Sequence, residues 1–154
     1  TMEKVFSGEF VRVQEQFSQV FRELFGGGQA ELRLSDPKDV LGCDIDIIAQ
    51  PPGKKLQMLS LMSGGERALT AIALLFAMLR IKSPAFCVLD EIDAALDDRN
   101  VDRFAGYLHN LKKTQFIVIT HRKGSMEVCN TLYGVAMEEK GVSSLVSAKF
   151  EEVS

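Results

Sequence analysis

Ala85-Phe86-Cys87-Val88-Leu89-Asp90-Glu91 runs an apolar strand into two adjacent carboxylates. Downstream, Val101, Phe104, Ala105, Leu108 and Leu111 recur at helical spacing and define one apolar face. Phe116-Ile117-Val118-Ile119 then forms a second apolar strand that ends at Thr120-His121. Strand, amphipathic helix and strand make a βαβ crossover, so the fold class is α/β. Two parallel strands are expected, each covered on both faces. Sheets of this kind gather ligands at the carboxyl ends of their strands, which is where Asp90, Glu91 and His121 fall.

Working upstream, Leu61-Met62-Ser63-Gly64-Gly65-Glu66 opens a long apolar segment, a helix from Glu66 to Ile81 that stops before Pro84. Ser-x-x-Glu ahead of an apolar run is a capping box, in which Ser63 and Glu66 each satisfy a free backbone N–H. The same geometry serves an anion. A helix start presents unpaired N–H groups and partial positive charge, and two glycines let a phosphate come close, with the Ser63 hydroxyl as a further donor. At the strand end, Asp90 is placed to hold Mg2+ directly or through water. Glu91, one residue on, points elsewhere and can polarise a water for attack on phosphorus. His121 is either a histidine bonded to backbone or a donor to a γ-phosphate oxygen. Each signal also has a structural reading: a helix cap, a solvated strand end. Their order on one sheet favours a nucleotide site. Yet the chain contains no G-x-x-x-x-G-K-[ST], and Gly53-Lys54-Lys55 fails that pattern at Ile48 and Lys55. Half of a nucleotide site is present.

The first 25 residues read as a helix with a seam. Phe6, Phe10, Val13, Phe17, Val20 and Leu24 follow a four-three-four-three-four rhythm, the a/d spacing of a coiled coil, already in phase at Phe6 as in a longer helix. An amphipathic helix docked on its own domain is the alternative. Gly26-Gly27-Gly28 ends it. Leu32 and Leu34 lie in a short half-buried strand, Ile45 to Ala49 form another, and Pro51-Pro52-Gly53 close a loop. A hairpin finishes the chain, Tyr133 to Met137 and Val142 to Ala148, turning at Glu138 to Gly141.

Composition sets the limits. The 154 residues suit one core-bearing domain, and a net charge of −3 gives no general attraction to nucleic acid. Cys43, Cys87 and Cys129 are too far apart for a metal site and read as reduced, buried thiols in a cytosolic setting. The longest apolar run, Ala68 to Leu79, is shorter than the roughly 20 residues of a membrane span, so no membrane contact is expected. Lys54-Lys55, Lys112-Lys113 and Arg122-Lys123 read as solvated surface, with no aromatic interleaving to mark a nucleic-acid platform.

With these residues in place, a resemblance can be stated. Ser63-Gly64-Gly65-Glu66 is similar to the signature motif of ABC-type ATPases, with Glu where transporters usually carry Gln. Cys87 to Glu91 resembles the Walker B strand, Ala94-Ala95-Leu96-Asp97 the D-loop, and Ile119-Thr120-His121-Arg122 the switch histidine. The Gly-Gly-Glu form, Thr120 to Glu127 and Pro51 to Lys55 narrow the likeness to the C-terminal half of the ABC-type head of a bacterial SMC (structural maintenance of chromosomes) condensin ATPase. Met62 departs from the family's usual leucine, a mild apolar swap. The resemblance implies that residues 1–25 are the head-proximal end of a coiled-coil helix and 26–154 the C-terminal lobe. It implies ATP and Mg2+ as cofactors, Asp90 on the metal, and Glu91 and His121 as catalytic residues in cis. Ser63, Gly64, Gly65, Glu66 and Asp97 would face nucleotide, the signature residues reaching a second head. Implied partners are the Walker A-bearing N-terminal lobe, a second SMC head, a kleisin subunit and DNA in the full complex, at a cytoplasmic, nucleoid-associated location. The isolated chain would be inactive. A related coiled-coil DNA-repair ATPase and a non-catalytic docking module are the competing readings; a transporter would carry Walker A and no seam.

Overall fold

A computed structural model describes residues 2–149; the last five residues of the expected C-terminal lobe, 150–154, lie outside the described residues. Helix α1 spans Met2–Phe25 and leads into an antiparallel three-stranded sheet of β1 (Gln29–Leu34), β2 (Ile45–Gln50) and β3 (Gln57–Met58). A 3-10 turn, Leu59–Leu61, precedes α2 (Gly64–Ile81). Then follow β4 (Phe86–Asp90), α3 (Asp98–Asn110), β5 (Gln115–Ile119) and the short α4 (Lys123–Glu127). The hairpin β6 (Thr131–Glu139) and β7 (Val142–Lys149) completes the described chain. The short β3 and α4 carry too little periodicity to be read from sequence.

The seam of α1 serves two purposes. Phe17, Val20 and Leu24 are buried in the common core, together with Phe21 and Phe25, which the heptad reading leaves out. Phe6, Phe10 and Val13 are only half-buried. Thus the second half of the helix is docked on its own domain against α2 and β1. Its first half projects with Met2, Val5 and Val11 exposed. Phe21 stacks on Phe25 with ring centroids 4.2 Å apart. Period 3.5 marks the free portion, and a wider apolar stripe the docked one.

The glycine run ends α1 as expected. Gly26, Gly27 and Gly28 all adopt positive φ (71°, 135° and 79°), and the Gly27 N–H closes on the Arg22 carbonyl at 2.9 Å. At Gly28 an added Cβ would lie 2.2 Å from the Gln50 carbonyl oxygen. Gly28→Ala is therefore expected to destabilise the fold by about 2–3 kcal/mol, measured as a shift in the urea unfolding midpoint. Gly26→Ala, with open space around it, should cost about 1 kcal/mol from φ alone.

β4 and β5 pair in parallel, Asp90 opposite Ile119, with α3 as the crossover. The inward residues Cys87, Leu89, Phe116 and Val118 pack with Phe76, Leu69 and Phe104 of α2 and α3. The other face departs from expectation. Phe86, Val88, Ile117 and Ile119 stay 61%, 51%, 47% and 51% exposed. With two strands and the helices on one side only, nothing in the described chain covers that face. The thiols also differ from expectation: Cys43, Cys87 and Cys129 are free and half-buried, not buried. Desolvation still pushes the Cys129 thiol above its ordinary value.

Candidate nucleotide site

The start of α2 forms only part of the capping box that Ser-x-x-Glu predicts. Ser63 sits at the N-cap in extended conformation, but its side chain makes no bond to the helix backbone. Its hydroxyl instead donates to Glu66 Oε2 at 2.8 Å. Glu66 Oε1 is taken by Lys54 Nζ at 2.7 Å. Partial burial works to raise the Glu66 pKa, but the Lys54 and Ser63 contacts outweigh it and hold the carboxylate below its usual range. Lys54, exposed as its reading as surface implies, is thus also paired with the loop before α2. The Ser63 side chain caps no N–H of the helix, while Glu66 keeps a contact with the Ser63 backbone N–H, the other half of a capping box. Gly64 opens onto free space, where an added Cβ meets nothing within 4 Å. Unpaired N–H groups, glycine and a helix dipole make a surface suited to an anion.

Asp97 lies beside this loop. It caps α3, accepting from the Asn100 N–H at 2.9 Å and from Asn100 Nδ2 at 3.2 Å. A Cβ on Gly65 would come within 3.2 Å of Asp97 Oδ2. The structure therefore brings Ser63, Gly64, Gly65, Glu66 and Asp97 into one neighbourhood, though they span two helix starts.

Asp90, Glu91 and His121 form a second neighbourhood at the carboxyl ends of β4 and β5. Asp90 alternates with Phe86 and Val88 and shares their open face. Glu91 departs from the strand with φ of +48°, the one non-glycine positive φ among the described residues, and its N–H is held by the Ile119 carbonyl at 2.9 Å. That conformation is costly for Glu, and it turns the side chain out of the strand's alternation. His121 is exposed two residues beyond β5. No cluster of three or more His, Cys, Asp or Glu suited to a metal occurs among the described residues. A lone strand-end carboxylate suits Mg2+ carried on phosphates and water, and does not suit a resident metal.

Sequence reasoning missed Asp93, which is 1% exposed. Its Oδ2 accepts from Thr120 Oγ1 at 2.7 Å and from the Ser125 hydroxyl. Arg122, read as solvated, donates to Asp98 Oδ1 at 2.7 Å. The signal for Asp93 was present, an acid between Ile92 and Ala94 in an otherwise apolar turn, but Asp90 and Glu91 beside it drew the reading.

Two cavities of about 470 and 670 Å3, around Arg80 and the close of α1, are lined by none of Asp90, Glu91, Asp97, His121 or residues 63–66. The nucleotide-suited residues sit on open edges. No helix among the described residues is long and apolar enough to cross a membrane.

The chain is an α/β lobe with a glycine-bearing helix start on one edge and two acids at the end of a parallel strand pair on another. The chain belongs to the family described as RecF/RecN/SMC N terminal domain, which it matches over residues 6–144. It is 62% identical over 152 residues to the chromosome partition protein Smc of Bacillus subtilis, and 61% identical to that of Desulfitobacterium hafniense. The match covers 98% of this chain and 13% of each relative, so the chain spans about one eighth of their length. Among solved structures, a chain from work on ATP-driven dimerization and DNA-stimulated activation of SMC ATPases superposes with a TM-score of 0.88. It is 40% identical, over 96% of this chain and 89% of that one. An Smc head domain with an extended coiled coil, bound to the C-terminal domain of ScpA from Pyrococcus furiosus, gives 0.83 at 42% identity, over 96% of this chain and 37% of that one.

Proposed function

We propose that this chain is the C-terminal lobe of an SMC-type ATPase head, with residues 1–25 the head-proximal end of its coiled-coil helix and 26–154 the lobe itself. The family description names an N terminal domain; the residues of this chain argue for the other lobe. It carries Ser63-Gly64-Gly65-Glu66 and Leu89-Asp90-Glu91 but no phosphate-binding G-x-x-x-x-G-K-[ST] loop.

One observation supports this most strongly. A parallel two-stranded sheet has a bare apolar face, with Asp90 at its end on that same face. Parallel sheets are covered on both sides in folded domains. An N-terminal lobe bearing Walker A would cover the face and bring its bound ATP to Asp90. Mg2+, when bound, neutralises charge on the phosphates; Asp90 would hold it. Glu91 then accepts the proton of the attacking water, and His121 donates to a γ-phosphate oxygen. Ser63, Gly64, Gly65, Glu66 and Asp97 are positioned for the ATP of a second head, so that nucleotide joins two heads and hydrolysis parts them. In the whole protein this cycle would act in chromosome partition, on DNA in the cytoplasm, with a kleisin as third partner; the Pyrococcus head bound to ScpA supports that partner. A head of a related coiled-coil DNA-repair ATPase is the second reading, favoured only by the breadth of the matched family.

The open face supplies the test. Val88→Glu with Ile117→Glu places charge where apolar contact is required, on positions already half exposed. The lobe should keep its circular dichroism spectrum, while affinity for a Walker A-bearing lobe falls at least about 100-fold. Unaltered association would remove the face from the interface.

A further inference from the structure

The buried Asp93 carboxylate is explained by neither packing nor the proposed chemistry. It is 1% exposed, and a buried carboxylate is costly unless well partnered. Its two partners are hydroxyls, Thr120 Oγ1 at 2.7 Å and Ser125 Oγ, both belonging to the segment after β5. Its Oδ1 is buried with no hydrogen-bond partner among the described residues. The acid itself lies in the turn between Glu91 and Asp97, closed by Ala94 N–H to the Glu91 carbonyl (3.0 Å) and Leu96 N–H to the Asp93 carbonyl (3.1 Å). Both bonds that this carboxylate accepts therefore come from another loop.

What lies between those partners is His121. The Thr120 hydroxyl donates to Asp93 and accepts from the Arg122 N–H at 2.9 Å, closing a small turn with His121 at its centre. Arg122 reaches Asp98, just past Asp97, at 2.7 Å. This second tie ends on an exposed acid and is weak. The Asp93 tie is part-buried and the stronger of the two, because a hydroxyl bonded to a buried carboxylate is charge-assisted.

We propose that Asp93, acting through the Thr120 hydroxyl, is a positioning residue for His121. It locks the imidazole's backbone to the loop running from Glu91 to Asp97, so the histidine keeps register with the catalytic glutamate. The proposal rests on the ATPase reading above and adds a residue to it. His121 has no such anchor of its own: it is exposed on a segment whose neighbouring strand is open on one face.

The test uses the full-length protein. Thr120→Val keeps side-chain volume and removes the hydroxyl. It should lower kcat about 10-fold, with KM for ATP and ATP-dependent head engagement within about two-fold of the parent. Thr120→Ser keeps the hydroxyl and should restore kcat to within about two-fold. A residue that merely stabilised the fold would move the melting temperature and leave kcat of the folded fraction unchanged. Should Thr120→Val fail to fold, Asp93→Leu, which removes the acceptor, carries the same measurement. The double variant should fall no further than the lower single one, since both remove one tie. Parent-level kcat in Thr120→Val, or additive losses in the double variant, overturns the proposal. If Glu91→Gln turns over normally, the ATPase reading fails and this one with it. If Glu91→Gln is dead while Thr120→Val is fully active, only the positioning role fails.

Discussion

Glu91→Gln in the full-length protein is expected to bind ATP as the parent does and hydrolyse it about 100- to 10,000-fold more slowly. The size of that loss follows from what the substitution removes. Gln has the shape of Glu and can keep the +48° φ and the bond from its N–H to the Ile119 carbonyl. Only the proton acceptor disappears. A general base is worth about 3–5 kcal/mol of barrier, whereas an exposed surface acid is worth almost nothing. The two readings of Glu91 therefore differ by orders of magnitude in rate. In the proposed cycle binding joins the heads and hydrolysis releases them, so the variant should also accumulate ATP-bound head dimers, seen by cross-linking or light scattering. Normal turnover would return Glu91 to a strained but idle strand end.

Ser63→Arg is expected to leave ATP binding in cis intact and reduce ATP-dependent head dimerisation by at least about 100-fold, or roughly 3 kcal/mol. Charge and size make opposite predictions here, which gives the experiment its force. A guanidinium near phosphates should attract them; a bulky side chain at the mouth of α2 should keep them off the N–H groups and away from Gly64. Size wins in this geometry because anion binding to backbone needs close approach, and the space over Gly64 is what permits it. The change in fold stability should be small. Ser63 makes no cap bond, and its bond to Glu66 is exposed. Dimerisation tighter than the parent's would show that the loop meets phosphate through charge alone.

Much of the architecture was legible because it is local. The βαβ unit, the helix after Ser63, the glycine stop and the terminal hairpin each follow from periodicity and turn chemistry within a short window of sequence. What was not legible depends on tertiary contact. Period-2 alternation in Phe86 to Asp90 says that two faces exist, but it cannot say that one remains bare. The bare face was read as covered because parallel sheets ordinarily are. The Ser63–Glu66 pair was read as a reciprocal cap; the Ser63 hydroxyl turns instead to Glu66, which Lys54, a loop away, also holds, and only the Glu66 half of the cap remains. Phe21 and Phe25 fell outside a heptad reading because the helix changes from projecting to docked along its length. Asp93 escaped notice because its meaning lies in Thr120 and Ser125, far along the chain.

The candidate site residues were read from residue type and spacing, and their grouping depends on the fold. Signature residues and Asp97 share one edge, and Asp90, Glu91 and His121 share another. That division fits two nucleotide sites, each completed by a different neighbour.

The most direct measurement is ATP hydrolysis by this lobe, by a Walker A-bearing N-terminal lobe, and by the two co-expressed. Neither lobe alone should turn over ATP, the pair should, and Glu91→Gln in this chain should abolish the pair's activity. Hydrolysis by this chain alone, or equal turnover by the pair with Glu91→Gln, would contradict a site split between two lobes.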